Sequence, residues 1–140
     1  MQLIDTKKTC TNVINLLKNY QNLLHIAKRQ NPAYISSPVL NGMPSSKTYR
    51  NRVEDKMVVY ANCTTVIKAI NETLEQMDND IQSGILRDLY IKSVPLSQIQ
   101  LEQKYFLSQG TIYKYRNEGL LQFANLYQLE DLNYYNFTIK

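Results

Sequence analysis

Apolar residues recur at intervals of three and four along the first part of the chain. The series is Cys10, Val13, Leu17, Tyr20, Leu24 and Ala27. This period places them on one face of an α-helix, and such an apolar face is normally buried against another element. The spacing therefore predicts a helix over about residues 6–30, with Asp5, Thr6 and Thr9 as candidate N-caps.

A second helical series occupies the centre of the chain and is the longest predicted element. Its apolar positions run from Val53 to Ile81 with the same period. Ser83 and Gly84 then predict a break or bend. Between the two series, residues 31–53 hold three prolines and four serines, which interrupt any period and predict an extended or turn-rich connector. We expect the two long helices to pack on one another.

The C-terminal part has the outline of two helices joined by a tight turn. Ser97 with Gln100 forms a capping-box pattern that opens a helix through about Tyr105. Ser108 is a second N-cap signal, and a longer helix with apolar residues at helical spacing follows it. Residues 128–140 show little period, so we expect this tail to be partly loose. The whole pattern predicts an all-α fold that ends in a helix-turn-helix.

Composition limits the class of protein. The chain has 140 residues, of which 44% are hydrophobic and 20% charged, with a formal charge of +4. These values predict a folded domain, and the modest positive excess suits an anionic partner. No apolar run approaches the roughly 20 residues that cross a bilayer, and no secretory signal is readable. We therefore expect no membrane association and a cytoplasmic location.

The residue types that carry catalysis are sparse. His25 is the only histidine, and Cys10 and Cys63 lie far apart without the spacing of a metal site. The chain has no P-loop, no GxGxxG and no HExxH pattern. We therefore expect no enzyme activity, no catalytic residue, no metal site and no cofactor.

The last predicted helix can present a polar face to DNA. Helical spacing puts its apolar side chains on one face, which we expect to pack on the body: Ile112, Tyr115, Gly119 and Phe123. The opposite face carries side chains that suit base recognition: Gln109, Tyr113, Lys114 and Asn117. Ser108 opens a helix N-terminus whose N–H groups can bind a phosphate, while Lys104 and Arg116 flank the surface as candidate phosphate contacts.

Two residues depart from the usual helix-turn-helix pattern. The position usually held by a small residue on the first helix is Glu102, and the position of the turn glycine is Phe106. Either the turn is longer than usual or the two helices cross at a different angle. Periodicity alone leaves open a plain helical pair whose polar residues are only solvated.

Five stretches of the chain resemble a known family. They are KKTCTNVINLLKNY (7–20), SPVLNGMP (37–44), RNRVEDKM (50–57), TTVIKAI (64–70) and YKYRNEGLLQFANLY (113–127). Together they resemble the ArpU-type late transcription regulators of phages and prophages in low-GC Gram-positive bacteria, over about residues 5–127.

The resemblance implies a sequence-specific regulator that binds double-stranded DNA and activates late or lysis genes together with bacterial RNA polymerase. It implies a C-terminal helix-turn-helix like region 4 of sigma factors, with Tyr113, Lys114 and Arg116 in the DNA-reading helix. A homodimer is a further hypothesis, since two half-sites would double the base contacts. The alternative is a non-catalytic helical adaptor that binds RNA polymerase or another regulator and carries a vestigial helix-turn-helix.

These expectations divide the chain into four segments. We expect an N-terminal helix over 1–30, a connector over 31–53, the central helix and DNA-binding region over 54–127, and a tail over 128–140.

Overall fold

The computed structural model of the chain describes residues 3–34 and 46–136. Within these ranges the fold is predominantly helical and contains no β-strand beyond one isolated antiparallel bridge between Ile4 and Tyr135. The predicted all-α class is confirmed. The family-like stretch at 37–44 and two of the connector's prolines lie outside the described residues.

Six α-helices follow one another in the described ranges. They are α1 Thr6–Lys18, α2 Tyr20–Arg29, α3 Ser46–Gln76, α4 Asp80–Leu86, α5 Gln98–Tyr105 and α6 Gln109–Leu126. A short 3-10 turn, Pro32–Tyr34, follows α2, and a π-helical turn, Arg87–Ile91, continues α4. No helix in the described part of the chain is both long and apolar enough to cross a membrane.

The helix predicted over residues 6–30 is divided at Asn19. Asp5 caps its start, because its side chain accepts a hydrogen bond from the backbone N–H of Lys8 at 3.1 Å. At Asn19 the backbone N–H donates to the carbonyls of both Leu16 and Leu17, which closes α1 with a tighter turn. Asparagine has low helix propensity because its short polar side chain competes for backbone hydrogen bonds. The prediction of one continuous helix was therefore wrong at this residue.

The central series is divided at a different place from the predicted one. Helix α3 ends at Gln76, and Asn79 opens α4 by accepting from the backbone N–H groups of Ile81 and Gln82. Gly84 lies inside α4 and does not break it. A Cβ atom at this position would lie 2.6 Å from the Tyr105 hydroxyl, so the glycine permits α5 to approach α4.

Helix α3 begins at Ser46, within the segment expected to be a connector. Residues 46–52, SKTYRNR, contain neither proline nor glycine. Once the prolines have ended, nothing in the backbone chemistry prevents a helix from starting there. At 31 residues, α3 is the longest helix described, as predicted.

The chain divides into two compact units, residues 1–21 with 69–140 and residues 22–68. In the first unit α1 packs principally on α6, where we had expected the two long helices to pack together. Large apolar side chains fill its core: Val13, Leu17, Ile70, Leu74, Ile85, Leu86, Leu101, Ile112, Leu120 and Phe123. In the second unit Cys63 is buried, and the hydroxyls of Thr64 and Thr65 donate to backbone carbonyls one helical turn earlier.

The described part of the tail is bound to the start of the chain. The backbone N–H of Asp5 donates to the Tyr134 carbonyl at 2.8 Å, and the N–H of Tyr134 donates to the Thr9 hydroxyl at 2.9 Å. Leu132 is buried at 5% exposure. Backbone hydrogen bonds and the buried Leu132 thus hold residues 132–136 to the first unit, although their sequence shows little period and most of their other side chains are exposed.

Candidate nucleic-acid interface

Helices α5 and α6 are joined by the three residues 106–108. Ser97 and Gln100 form the predicted capping box, with the Ser97 N–H donating to Gln100 Oε1 at 2.8 Å and the Gln100 N–H donating to Ser97 Oγ at 3.2 Å. Ser108 caps α6 by accepting from the backbone N–H of Thr111 at 3.4 Å. Both predicted helix starts are confirmed.

The turn keeps its short length because Phe106 itself adopts the left-handed conformation. Its φ is 56°, the only positive φ of a non-glycine residue in the described chain. Its backbone N–H donates to the Glu102 carbonyl, which closes α5. The aromatic ring is 91% exposed and makes no core contribution. The longer turn that we considered is therefore not needed to accommodate a bulky residue here.

A small apolar core orients α6. Ile85 of α4, Leu101 of α5 and Ile112 of α6 are buried against one another, and further apolar side chains surround them: Leu89, Leu96, Tyr105, Leu107 and Tyr115. Farther along α6, Gly119 and Phe123 are buried as well. The predicted inward face is confirmed, because Ile112, Gly119 and Phe123 are buried and Tyr115 packs on the core. The opposite side of α6 consequently points away from this core.

The first two turns of α6 leave the predicted reading side chains exposed. Gln109 is exposed, Tyr113 is 58% exposed, and the Lys114 side chain is 71% exposed. The Lys114 ammonium lies 4.0 Å from Glu118, a solvent-exposed pair of the kind that contributes little to stability. Replacing this contact by one between Lys114 and another anion would therefore cost little free energy.

Arg116 and Asn117 lie deeper than the other predicted contacts, and both are half-buried. The Arg116 guanidinium stacks over the Tyr113 ring at 4.5 Å from its centre and donates to Asn117 Oδ1 at 3.1 and 3.3 Å. Burial raises the pKa of Tyr90, and the nearby positive charge of Arg116 opposes that effect. Arg116 thus holds the Tyr113 ring and the Asn117 side chain through its guanidinium, and it also places a positive charge near Tyr90.

Lys104 forms an ion pair with a buried carboxylate, although its own side chain is about half exposed. Its ammonium lies 2.7 Å from a carboxylate oxygen of Asp88, whose side chain is only 3% exposed. The other oxygen of Asp88 binds Lys92 at 2.8 Å, and the Tyr105 hydroxyl donates to Asp88 at 2.5 Å. Asp88 therefore connects the π-helical turn to α5 and offsets part of the charge that we assigned to phosphate binding.

Asp88 was not among the residues that the sequence indicated. A signal was present, because the pair Arg87 and Asp88 interrupts an otherwise apolar stretch over residues 85–91, and buried acids need partners. Its partners Lys104 and Tyr105 lie 16 and 17 positions away, where no local period could identify them.

The environment of Asp88 keeps it ionised near neutral pH. Burial acts to raise the pKa of this carboxyl, but hydrogen bonds from Lys104, Lys92 and Tyr105 outweigh burial, so the pKa lies below its ordinary value. Burial and the hydrogen bond to Asp88 also raise the pKa of the Tyr105 phenol.

A groove of about 630 Å³ lies between the first part of α1 and the middle of α6. Its walls are Thr6, Lys7, Cys10, Thr11 and Ile14 on α1, and Tyr113, Arg116, Asn117 and Leu121 on α6. At its floor the Cys10 thiol donates to the Asn117 carbonyl at 3.9 Å. Three predicted contacts, Tyr113, Arg116 and Asn117, therefore line this groove, whereas Lys104 belongs to the Asp88 cluster. Sequence reasoning assigned no role to Lys7 or Thr11.

Comparison with known proteins supports a regulatory family. No family model matches the chain, and no solved structure matches it. Over 125 residues the chain is 26% identical to a protein of Enterococcus hirae named "Putative autolysin regulatory protein ArpU". The alignment covers 89% of this chain and 90% of that protein. This similarity supports an ArpU-type family for the chain, and the resemblance predicted from the sequence is confirmed.

Proposed function

We propose that the chain is a sequence-specific DNA-binding regulator, an activator of phage or prophage late or lysis genes. In this proposal it acts with RNA polymerase in the cytoplasm of a bacterial host and has no catalytic role. Helices α5 and α6 form the helix-turn-helix, with α6 as the helix that enters the major groove and α4 packed against both.

The observation that carries this proposal is the two-sided character of α6. One side is anchored by Ile112 and Phe123, and the other exposes Gln109, Tyr113 and Lys114 within the first two turns. Recognition helices of this class contact base edges with their N-terminal residues. The short connection over 106–108 and the buried contact between Ile85, Leu101 and Ile112 are what such a module requires.

Two further facts support the regulatory class. The relative from Enterococcus hirae is named as a regulatory protein, and the similarity extends over nearly all of both chains. The formal charge of +4 also suits a polyanionic partner.

Footprinting on the genomic region that encodes the protein tests this proposal directly. We expect protection of a discrete site upstream of late or lysis genes. Uniform weak protection along the whole region would remove sequence specificity from the proposal.

Lys114→Ala tests the reading face. The side chain is exposed, so its removal leaves the fold unchanged, and we expect a loss of about 1–3 kcal/mol of affinity for the protected site. Fluorescence anisotropy with that duplex measures the loss. Lys18→Ala is the matched control, since Lys18 is an exposed cation at the far end of α1. An isotherm for Lys114→Ala that overlies the wild-type curve would exclude this residue from recognition.

The adaptor remains the second candidate, and a specific observation favours it. Three large apolar side chains near α5 are strongly exposed, namely Val94 at 77%, Ile99 at 66% and Phe106 at 91%. Exposed apolar surface of this kind suits a protein partner. The salt dependence of binding to random-sequence duplex DNA separates the two functions, because it is steep for a DNA-binding regulator and near zero for an adaptor.

We also propose that the regulator acts as a homodimer. Met57 at 51% and Val58 at 59% exposure lie on α3, and a second copy would cover apolar surface there. A dimer would carry two α6 helices, one for each half-site, which would double the base contacts. Sedimentation at micromolar concentration should give the mass of a dimer, and a monomer mass would contradict this part of the proposal.

A further inference from the structure

We propose that the groove between α1 and α6 seats the sugar-phosphate backbone of bound DNA, with Lys7 of α1 as a phosphate contact. This inference rests on the proposed function and adds a second element to the DNA-binding surface. It also assigns a role to a residue outside the helix-turn-helix.

The groove adjoins the side chains proposed to read bases. Tyr113 is 58% exposed and lines the groove, so it belongs to the outer face of α6 and to the groove wall at once. A DNA strand whose bases meet this face of α6 must carry its backbone past one side of the helix. The α1 side offers an open channel of about 630 Å³ for that backbone.

The lining of the groove has the chemistry of a phosphate site. Lys7 on α1 and Arg116 on α6 supply two cations, while Thr6, Thr11 and Asn117 supply neutral polar groups. Among the described residues that line it there is no carboxylate. Most protein contacts to the DNA backbone come from these residue types.

A neighbouring cavity differs in character. It has a volume of about 320 Å³ and shares Thr6 and Leu121 with the groove, but its described lining adds Leu3, Ile4, Asn125 and Asn133, none of which is charged. The two cations, Lys7 and Arg116, therefore lie at the end of the α1–α6 interface that is next to Tyr113.

The contact is assigned to the Lys7 side chain and not to the amide end of α1. Asp5 already occupies that end, accepting from the Lys8 N–H at 3.1 Å. Lys7 is exposed, whereas Arg116 is held by Tyr113 and Asn117. Lys7 is accordingly the residue whose removal reports on the groove without disturbing α6.

The test is anisotropy of the full-length chain with random-sequence duplex DNA over a series of salt concentrations. For Lys7→Ala we expect affinity to fall about eightfold near 0.1 M salt, and the slope of log affinity against log salt to decrease by about 0.9. Lys18→Ala, at the other end of the same helix, should leave both unchanged. Thr11→Lys, which adds a cation to the same wall, should steepen the slope.

The outcomes separate the inference from the proposed function. Wild-type affinity and slope in Lys7→Ala, together with weakened site binding in Lys114→Ala, would overturn the groove contact and leave the regulator intact. Equal losses in Lys7→Ala and Lys18→Ala would overturn it too, because they show diffuse attraction. Failure of the wild-type chain to bind duplex DNA would overturn both.

Discussion

Phe106 shows how one residue can shape the connection between two helices. A β-carbon in the left-handed region crowds the following carbonyl and costs about 1–2 kcal/mol, which is why glycine is usual there. Phe106 adopts this conformation with φ of 56° while its ring is 91% exposed. The ring recovers little of the backbone cost by burial within the chain.

Phe106→Gly should therefore stabilise the protein. We expect a gain of about 0.5–1 kcal/mol, since relief of the backbone exceeds the added entropy of glycine in the unfolded chain. Urea unfolding measures it. Phe106→Ala is the matched control, because it removes the ring and keeps the β-carbon. If both variants have the same midpoint, backbone strain at this turn is not the cause.

Asp88 acts at the scale of elements, where it holds α5 against the π-helical turn. Its carboxylate binds Lys92, the residue that follows the turn, and Lys104 and Tyr105 from α5. The two lysines are about half exposed, so each ion pair is screened and only the buried carboxylate is costly to leave unpaired. The cluster therefore links α5 to the π-helical turn.

Asp88→Asn should lower the free energy of unfolding by about 1–2 kcal/mol at pH 7, because charge-assisted hydrogen bonds are lost. The pKa of Asp88 is lowered from 3.8 in the folded state, so its contribution is complete above that value. It disappears as the pH falls through the lowered pKa. The difference between the urea midpoints of wild type and variant should therefore be constant well above pH 3.8 and should narrow as the pH falls below that value.

The matched control for that series is Asp55→Asn, which alters an exposed acid on α3. It should parallel the wild type at every pH. A constant difference between Asp88→Asn and wild type down to the lowest pH would show that the effect arises from packing and not from ionisation.

At the scale of the whole molecule, the two ends of the described chain meet. Leu3 and Asp5 exchange backbone hydrogen bonds with residues 134 and 136, and Asn12 donates to the Leu132 carbonyl at 3.0 Å. The tail thus braces α1, the helix that forms one wall of the α1–α6 groove.

Leu132→Ala should destabilise the first unit by about 2–3 kcal/mol, because a fully packed leucine is replaced by a cavity. Urea unfolding measures the loss, and faster hydrogen exchange at the Tyr134 amide should accompany it. Leu129→Ala is the control from the same tail, since Leu129 is 48% exposed and should cost little. Equal midpoints for the two variants would mean that the tail does not brace the fold.

The sequence predicted those features that depend on contacts between residues close together in the chain. The caps at Ser97 and Ser108 and the inward face of α6 follow from contacts within one or two helical turns. The breaks at Asn19 and Asn79 were missed because apolar spacing continues across them. At each of these positions the hydrogen bonds of one asparagine end one helix or begin the next, even though the apolar spacing continues.

The amino-acid order by itself determined that this chain is helical and which side of α6 is apolar, because helix propensity, capping and the 3.6-residue period act over a few positions. Only the tertiary structure decided that α1 packs on α6, that Lys104 pairs with Asp88, and that Lys7 and Arg116 line the same groove. Those arrangements join residues far apart along the chain, and long-range packing selects them where no local pattern can.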